Sequence, residues 1–239
     1  MTTITTINQK GGVGKTTVTA LAGEALQDAF GPVLLIDFDP LGTLSDTMLA
    51  RYGQTAQHTV TDWLKAGVLL ADAAVPLTPG LHILPANNGL EDVLTDMSAS
   101  PGKVFALRSA IQTQAHRYGL ILIDAPPSLS ALAWAAIIAA DMVVVPTLAD
   151  LTSVKGLTNV LHQIDDVRAN AGMAPTLIGV IANMVDERVL SDRAALAALT
   201  QPGMPQVLGK LPRRRGRTAQ TDLRNAFSPI AQKLVKAIC

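Results

Sequence analysis

Two lysines bracket a run of glycines near the start of the chain, in Lys10-Gly11-Gly12-Val13-Gly14-Lys15-Thr16-Thr17. Glycines let backbone N–H groups turn inward around phosphate oxygens, a lysine offsets phosphate charge, and a neighbouring hydroxyl can ligate Mg²⁺. The end of this run fits G-x-x-x-x-G-K-[ST], the loop that cradles a nucleotide's phosphates. Position 9, where that pattern has its first glycine, is Gln9, so the pattern is broken and Lys10 is an extra cation at its mouth. A plain glycine turn is the alternative. The apolar run from Ile4 to Ile7, the loop, and a helical pattern from about Thr16 to Phe30 stand in the order that favours nucleotide binding, with Gly11, Gly12, Val13, Gly14, Lys15, Thr16 and Thr17 as the contacts.

Carboxylates follow. Asp37 and Asp39 end the apolar run LLIDFDP two positions apart, so both point to one face of an extended chain. Asp124 ends LILIDAPPS in the pattern of a carboxylate that holds Mg²⁺, commonly through water. An aspartate at a strand end serves equally well as a turn or helix cap. Three of them downstream of a phosphate loop favour a magnesium site built on Thr16, Asp37 and Asp124.

The elements that must position these residues alternate between short apolar runs and helix-length stretches. Apolar runs at Leu81, Leu120, Met142 and Leu177 are separated by helical patterns such as Lys103 to Arg117 and Ser153 to Asn170. Continuous apolar strands with helical crossovers predict an α/β fold, a mainly parallel sheet with helices on both faces and ligands at the strands' carboxyl ends. The chemistry is then expected in loops 8–17, 37–46, 124–130 and 182–188. With 239 residues, 49% of them hydrophobic and 16% charged, the chain is expected to be a single domain over 1–239. Aromatic residues make up 3%, which argues against a stacking surface for single-stranded nucleic acid, and zero formal net charge leaves any pull toward DNA or membrane to a local patch. Cys239 is the lone cysteine, so no internal disulfide or thiolate cluster is possible and a cytoplasmic setting fits. The four histidines lack metal-ligand spacing.

The segments KGGVGKTT, DFDPLG and LILIDAPPSLS resemble, in order and spacing, the deviant Walker A, Walker A′ and Walker B segments of the ParA/Soj/MinD ATPases, in particular the short ParA-type partition proteins. ADMVVVPTLAD and GVIANMVDER extend the resemblance over most of the chain. It implies a P-loop ATPase that uses ATP and Mg²⁺. Lys10 is then the signature lysine, which crosses to the phosphates of a second ATP-bound subunit, and joins Lys15 and Asp39 as a catalytic residue. Asp39 takes the water-positioning role, Asn183 the adenine, Asp150 the partner's ribose, and Pro212 borders the nucleotide. The family commonly has glutamine at the position held by Leu41.

Output is a separate question. Arg213, Arg214, Arg215, Arg217 and Arg224 crowd the C-terminal stretch, a cluster of the kind that makes sequence-independent phosphate contacts; a solvated helix face is the alternative. The resemblance tips the reading toward an ATP-dependent homodimer on non-specific double-stranded DNA, nucleoid-associated, released on hydrolysis stimulated by a centromere-binding, ParB-type protein. The rival is a MinD-like positioning ATPase on a membrane, because Leu223, Phe227, Ile230, Leu234 and Ile238 share one helical face. Ser228-Pro229 reads as an N-cap and first helical residue that splits that stretch, so membrane binding is the less favoured output. Metabolic enzymes of the same fold lack support in any separate substrate constellation.

Overall fold

Val33–Asp37 (VLLID) and Leu120–Asp124 (LILID) are buried at every position, as strands sandwiched between two helical layers must be. The computed structural model describes residues 1–213 and 219–239. Its strands are β1 (Thr2–Thr6), β2 (Val33–Asp37), β3 (Val75–Thr78), β4 (Leu81–Leu84), β5 (Leu120–Asp124), β6 (Met142–Leu148), β7 (Thr176–Val185) and β8 (Val207–Pro212). They form one sheet in the order β3-β4-β2-β5-β1-β6-β7-β8. All neighbours pair parallel except β3 and β4.

The helices are α1 (Lys15–Phe30), α2 (Thr43–Tyr52), α3 (Val60–Lys65), α4 (Leu70–Ala73), α5 (Leu90–Ala99), α6 (Ala106–Gln114), α7 (Ala131–Ala139), α8 (Leu151–Ala171), α9 (Leu190–Leu199) and α10 (Ala219–Ile238). Strand alternation divides the core between the sheet's two faces. Leu34, Ile36, Ile121 and Ile123 pack with residues of α3 to α9, while Val33, Leu35, Leu120 and Leu122 pack with α1, α2 and α10. β1 lies mid-sheet between β5 and β6, which puts its carboxyl end at the point where the connections change direction.

Two expectations shift. The stretch from Lys103 to Arg117 divides into a 3₁₀ turn over Pro101–Phe105 and α6. Ser228-Pro229 does not split the C-terminal stretch, because α10 runs unbroken with Pro229 inside it. Proline there removes one intrahelical hydrogen bond, and burial of Leu223, Phe227, Ile230 and Leu234 in one core offsets that loss.

Candidate nucleotide site

The phosphate loop leaves β1 through Asn8, and this residue supplies what Gln9 cannot. Asn8 is buried, donates from Nδ2 to the Pro146 carbonyl at 2.8 Å, and accepts at Oδ1 from the Lys10 backbone N–H at 3.0 Å. Gly12 and Gly14 then take left-handed conformations with φ of 74° and 94°. A Cβ on Gly14 would collide with the side-chain amide of Asn183, whose Nδ2 donates to the Val13 carbonyl at 2.8 Å. α1 starts on Gly14 with no side-chain cap and no acid in its first turn, so its free N–H groups and dipole face the loop. This is a cradle for an anion.

Charge is concentrated beside it. Lys15 is only 7% exposed; burial lowers its pKa, and the carboxylates of Asp124 and Asp39 partly restore it. Thr16 Oγ1 donates to Asp124 Oδ2 at 2.7 Å. Asp37 and Asp124 are register partners at the ends of β2 and β5. Burial pushes Asp124 up to about 8, reinforced by the charge of Asp37. It pushes Asp37 up to about 6 against hydrogen bonds from Ser45 Oγ at 2.6 Å, Ser45 N–H at 2.8 Å and the Asp39 N–H at 3.2 Å. Two adjacent buried carboxylates resist ionising together, and a divalent cation relieves that resistance. Among the described residues no three His, Cys, Asp or Glu side chains form a metal cage. The donors fit Mg²⁺, which is commonly held by a protein ligand or two, phosphate oxygens and water.

Lys10 does not turn into its own phosphate loop. Its Nζ donates to Ser153 Oγ at 2.8 Å and to Asp150 Oδ2 at 3.3 Å. Asp150 caps α8 by accepting from the Ser153 N–H at 2.7 Å. Its slight burial raises its pKa, and the hydrogen bonds from Ser153 and Lys10 outweigh that and lower it. Asp39 lies at the loop's other flank, its Oδ1 accepting from the Leu41 N–H at 3.1 Å, while the Leu41 side chain is 75% exposed.

On the β7–β8 side, Met184 adopts φ 55°, an unusual value for a residue other than glycine. Pro212 and Arg213 line a cleft of about 460 Å³ with Val185, Asp186, Glu187, Arg188 and Lys210. Arg213 ties the two strands together through its N–H to the Val185 carbonyl at 3.0 Å and approaches Asp192 at 3.8 Å. Arg224 is held against α1, where its Nε and Nη2 each donate to Glu24 at 2.9 Å. Arg214, Arg215 and Arg217 lie outside the described residues.

A protein-family model described as an AAA domain matches residues 1–177. The chromosome partitioning protein ParA of Caulobacter vibrioides (strain NA1000 / CB15N) is 37% identical over 193 residues, which cover 79% of this chain and 72% of that protein. The chain belongs to the ParA/Soj family of deviant Walker A ATPases. The chromosome-partitioning ATPase Soj of Thermus thermophilus is 36% identical over 183 residues, 77% of this ParA-family chain and 69% of Soj. In three dimensions the chain is similar to cobyrinic acid a,c-diamide synthase from Mycobacterium smegmatis with a bound ATP analogue and magnesium, with a TM-score of 0.87 at 28% identity covering 99% and 95% of the two chains. A plasmid partition protein from Borrelia burgdorferi has the same fold, with a TM-score of 0.82 at 22% identity over 99% of this chain and 98% of that one.

The structure thus brings Gly11 to Thr17, Asp37, Asp39, Asp124 and Asn183 to one end of the sheet. Four residues escape the ParA/Soj motifs. Ser45 is buried, holds Asp37 twice and accepts from the Ala86 N–H at 2.8 Å. Ser153 receives Lys10. Asn8 precedes the glycines, and an Asn before a tight turn is its one sequence signal. Glu24, mid-helix in α1, has no local signal at all.

Proposed function

We propose that this ParA-family protein is an ATP-switched partition ATPase: an ATP-bound homodimer that holds double-stranded DNA without sequence preference and lets go after hydrolysis stimulated by a centromere-binding, ParB-type protein. The observation that carries this reading is the direction of Lys10, which rests on Asp150 and Ser153 while Lys15 alone occupies the loop. As an exposed pair, Lys10 and Asp150 are worth only about 0.2–1 kcal/mol, so the lysine is cheaply released toward a partner's phosphates. Supporting it, Leu41, Leu129, Leu151, Met184, Val189 and Leu190 are exposed apolar residues in or next to the loops after β2, β5, β6 and β7, a surface suited to a second copy.

Bound ATP with Mg²⁺ supplies the transferable γ-phosphoryl group. Thr16, Asp124 and Asp37 hold the metal, Lys15 offsets phosphate charge, Gly11 to Thr17 surround the phosphates, and Asp39 orients the attacking water. Asn183 and Pro212 flank the base and Asp150 meets the partner's ribose. Arg213, Arg214, Arg215 and Arg217 contact DNA phosphates; Arg224, paired with Glu24, contributes less directly.

The membrane alternative is disfavoured because the apolar face of α10 is spent on the core, and no described helix is long and apolar enough to cross a membrane. The test is binding of a mixed-sequence duplex and of anionic vesicles side by side, with ATP and with ADP. ATP-dependent duplex binding that falls steeply with salt supports the reading. Vesicle binding without duplex binding at low salt overturns it.

A further inference from the structure

Along α10, Leu223, Phe227, Ile230 and Leu234 all pack into one core. Around Leu223 and Phe227 its first turns also border two cavities. One, of about 260 Å³, is lined by Thr16, Thr43, Arg51, Gln220 and Leu223 among others. The second, of about 250 Å³, is lined by Glu24, Tyr52, Arg224 and Phe227 among others.

Glu24 of α1 spans the gap. Its side chain is 8% exposed, and its carboxylate receives Arg51 Nη1 at 2.5 Å, Tyr52 Oη at 3.2 Å, and Arg224 Nε and Nη2 at 2.9 Å each. Burial raises its pKa, and the bonds from Arg224 and Arg51 more than reverse this, so the group is ionised. With its amide oxygen turned toward Arg51, Gln220 accepts from Nη2 at 2.7 Å and Nε at 2.9 Å. Arg51 and Tyr52 end α2, whose other end carries Ser45 on Asp37. A shift of the Asp37–Ser45 loop therefore moves a rigid ten-residue helix whose far end is bonded to the start of α10.

We infer that Glu24 is a positioning residue that links α2, and through it the Asp37–Ser45 loop, to the first turns of α10, so that the nucleotide state sets the placement of these turns and of Arg224. This rests on the partition reading above for its DNA output, whereas the link itself does not.

The experiment compares hydrogen exchange in residues 219–226 with ATP and with ADP, alongside duplex affinity in both states, for the wild-type protein, Glu24→Gln and Arg51→Met. Melting curves and ATP affinity check that each variant is folded and loaded. In the wild type, exchange at the start of α10 differs between nucleotides. In both variants this difference disappears, and the ratio of ATP-state to ADP-state duplex affinity falls about tenfold or more, toward unity. A merely structural Glu24 lowers the melting temperature but keeps the nucleotide difference, and that result, or a wild-type α10 indifferent to nucleotide, overturns the inference. If the exchange response is present and lost in the variants while no form binds duplex, the link stands and the partition reading fails.

Discussion

Thr16 Oγ1 donates to Asp124 Oδ2 at 2.7 Å, so the hydroxyl that would ligate Mg²⁺ is held by the carboxylate that would help hold the same ion. Burial raises Asp124 to about 8 and Asp37 to about 6, both above the usual carboxylate range. A raised pKa means that the folded chain keeps protons that the unfolded chain gives up. Stability of the nucleotide-free protein therefore falls as pH rises from about 4 toward 8 through these two groups. Melting temperatures at pH 5 and pH 8 check this. Asp124→Asn, which is neutral at both, should flatten the slope while weakening Mg²⁺-dependent nucleotide binding.

Gly14 combines φ of 94° with close approach to Asn183. Gly14→Ala adds backbone strain of about 1–3 kcal/mol and a steric clash. The double variant Gly14→Ala/Asn183→Ala should recover the steric part alone in thermal unfolding. Full recovery, or none, is contrary to the geometry.

Phe227 is fully buried between α10 and the sheet. Phe227→Ala should cost about 3–5 kcal/mol, seen as a lower denaturation midpoint. A helix whose apolar face served lipid would instead lose vesicle binding with little change in stability.

The Asp39 carboxylate accepts from the Leu41 N–H of its own loop. Asp39→Ala should bind ATP, dimerise, and fail to orient the attacking water, leaving the dimer trapped. Phosphate release at the wild-type rate would show that another residue positions the water, with Asp37 the first candidate.

The central strands were legible because burial on both faces leaves an uninterrupted apolar run ending in aspartate, as in LLID and LILID. The two edge strands were not. β3 contains Pro76 and β8 contains Gly209 and Pro212, residues an edge tolerates and that read as loop in the sequence. The same chemistry misled at Pro229, where local cap logic gave way to packing of the flanking apolar face. In the site, the glycines, Lys15 and the three aspartates announce themselves by spacing. Asn8 and Ser45 act through bonds to neighbouring loops, and the pair Glu24 and Arg224 is separated by 200 residues, so no local pattern marks it.

The account turns on Lys10 working across an interface rather than within its own loop. In the Asp39→Ala background, where ATP is not consumed, light scattering with ATP should report a dimer. Adding Lys10→Ala should leave ATP affinity within a few-fold of the parent and the protein monomeric, because Lys10 rests on Asp150 and Ser153 rather than on its own phosphate loop. A normal ATP-bound dimer without Lys10 would contradict the account.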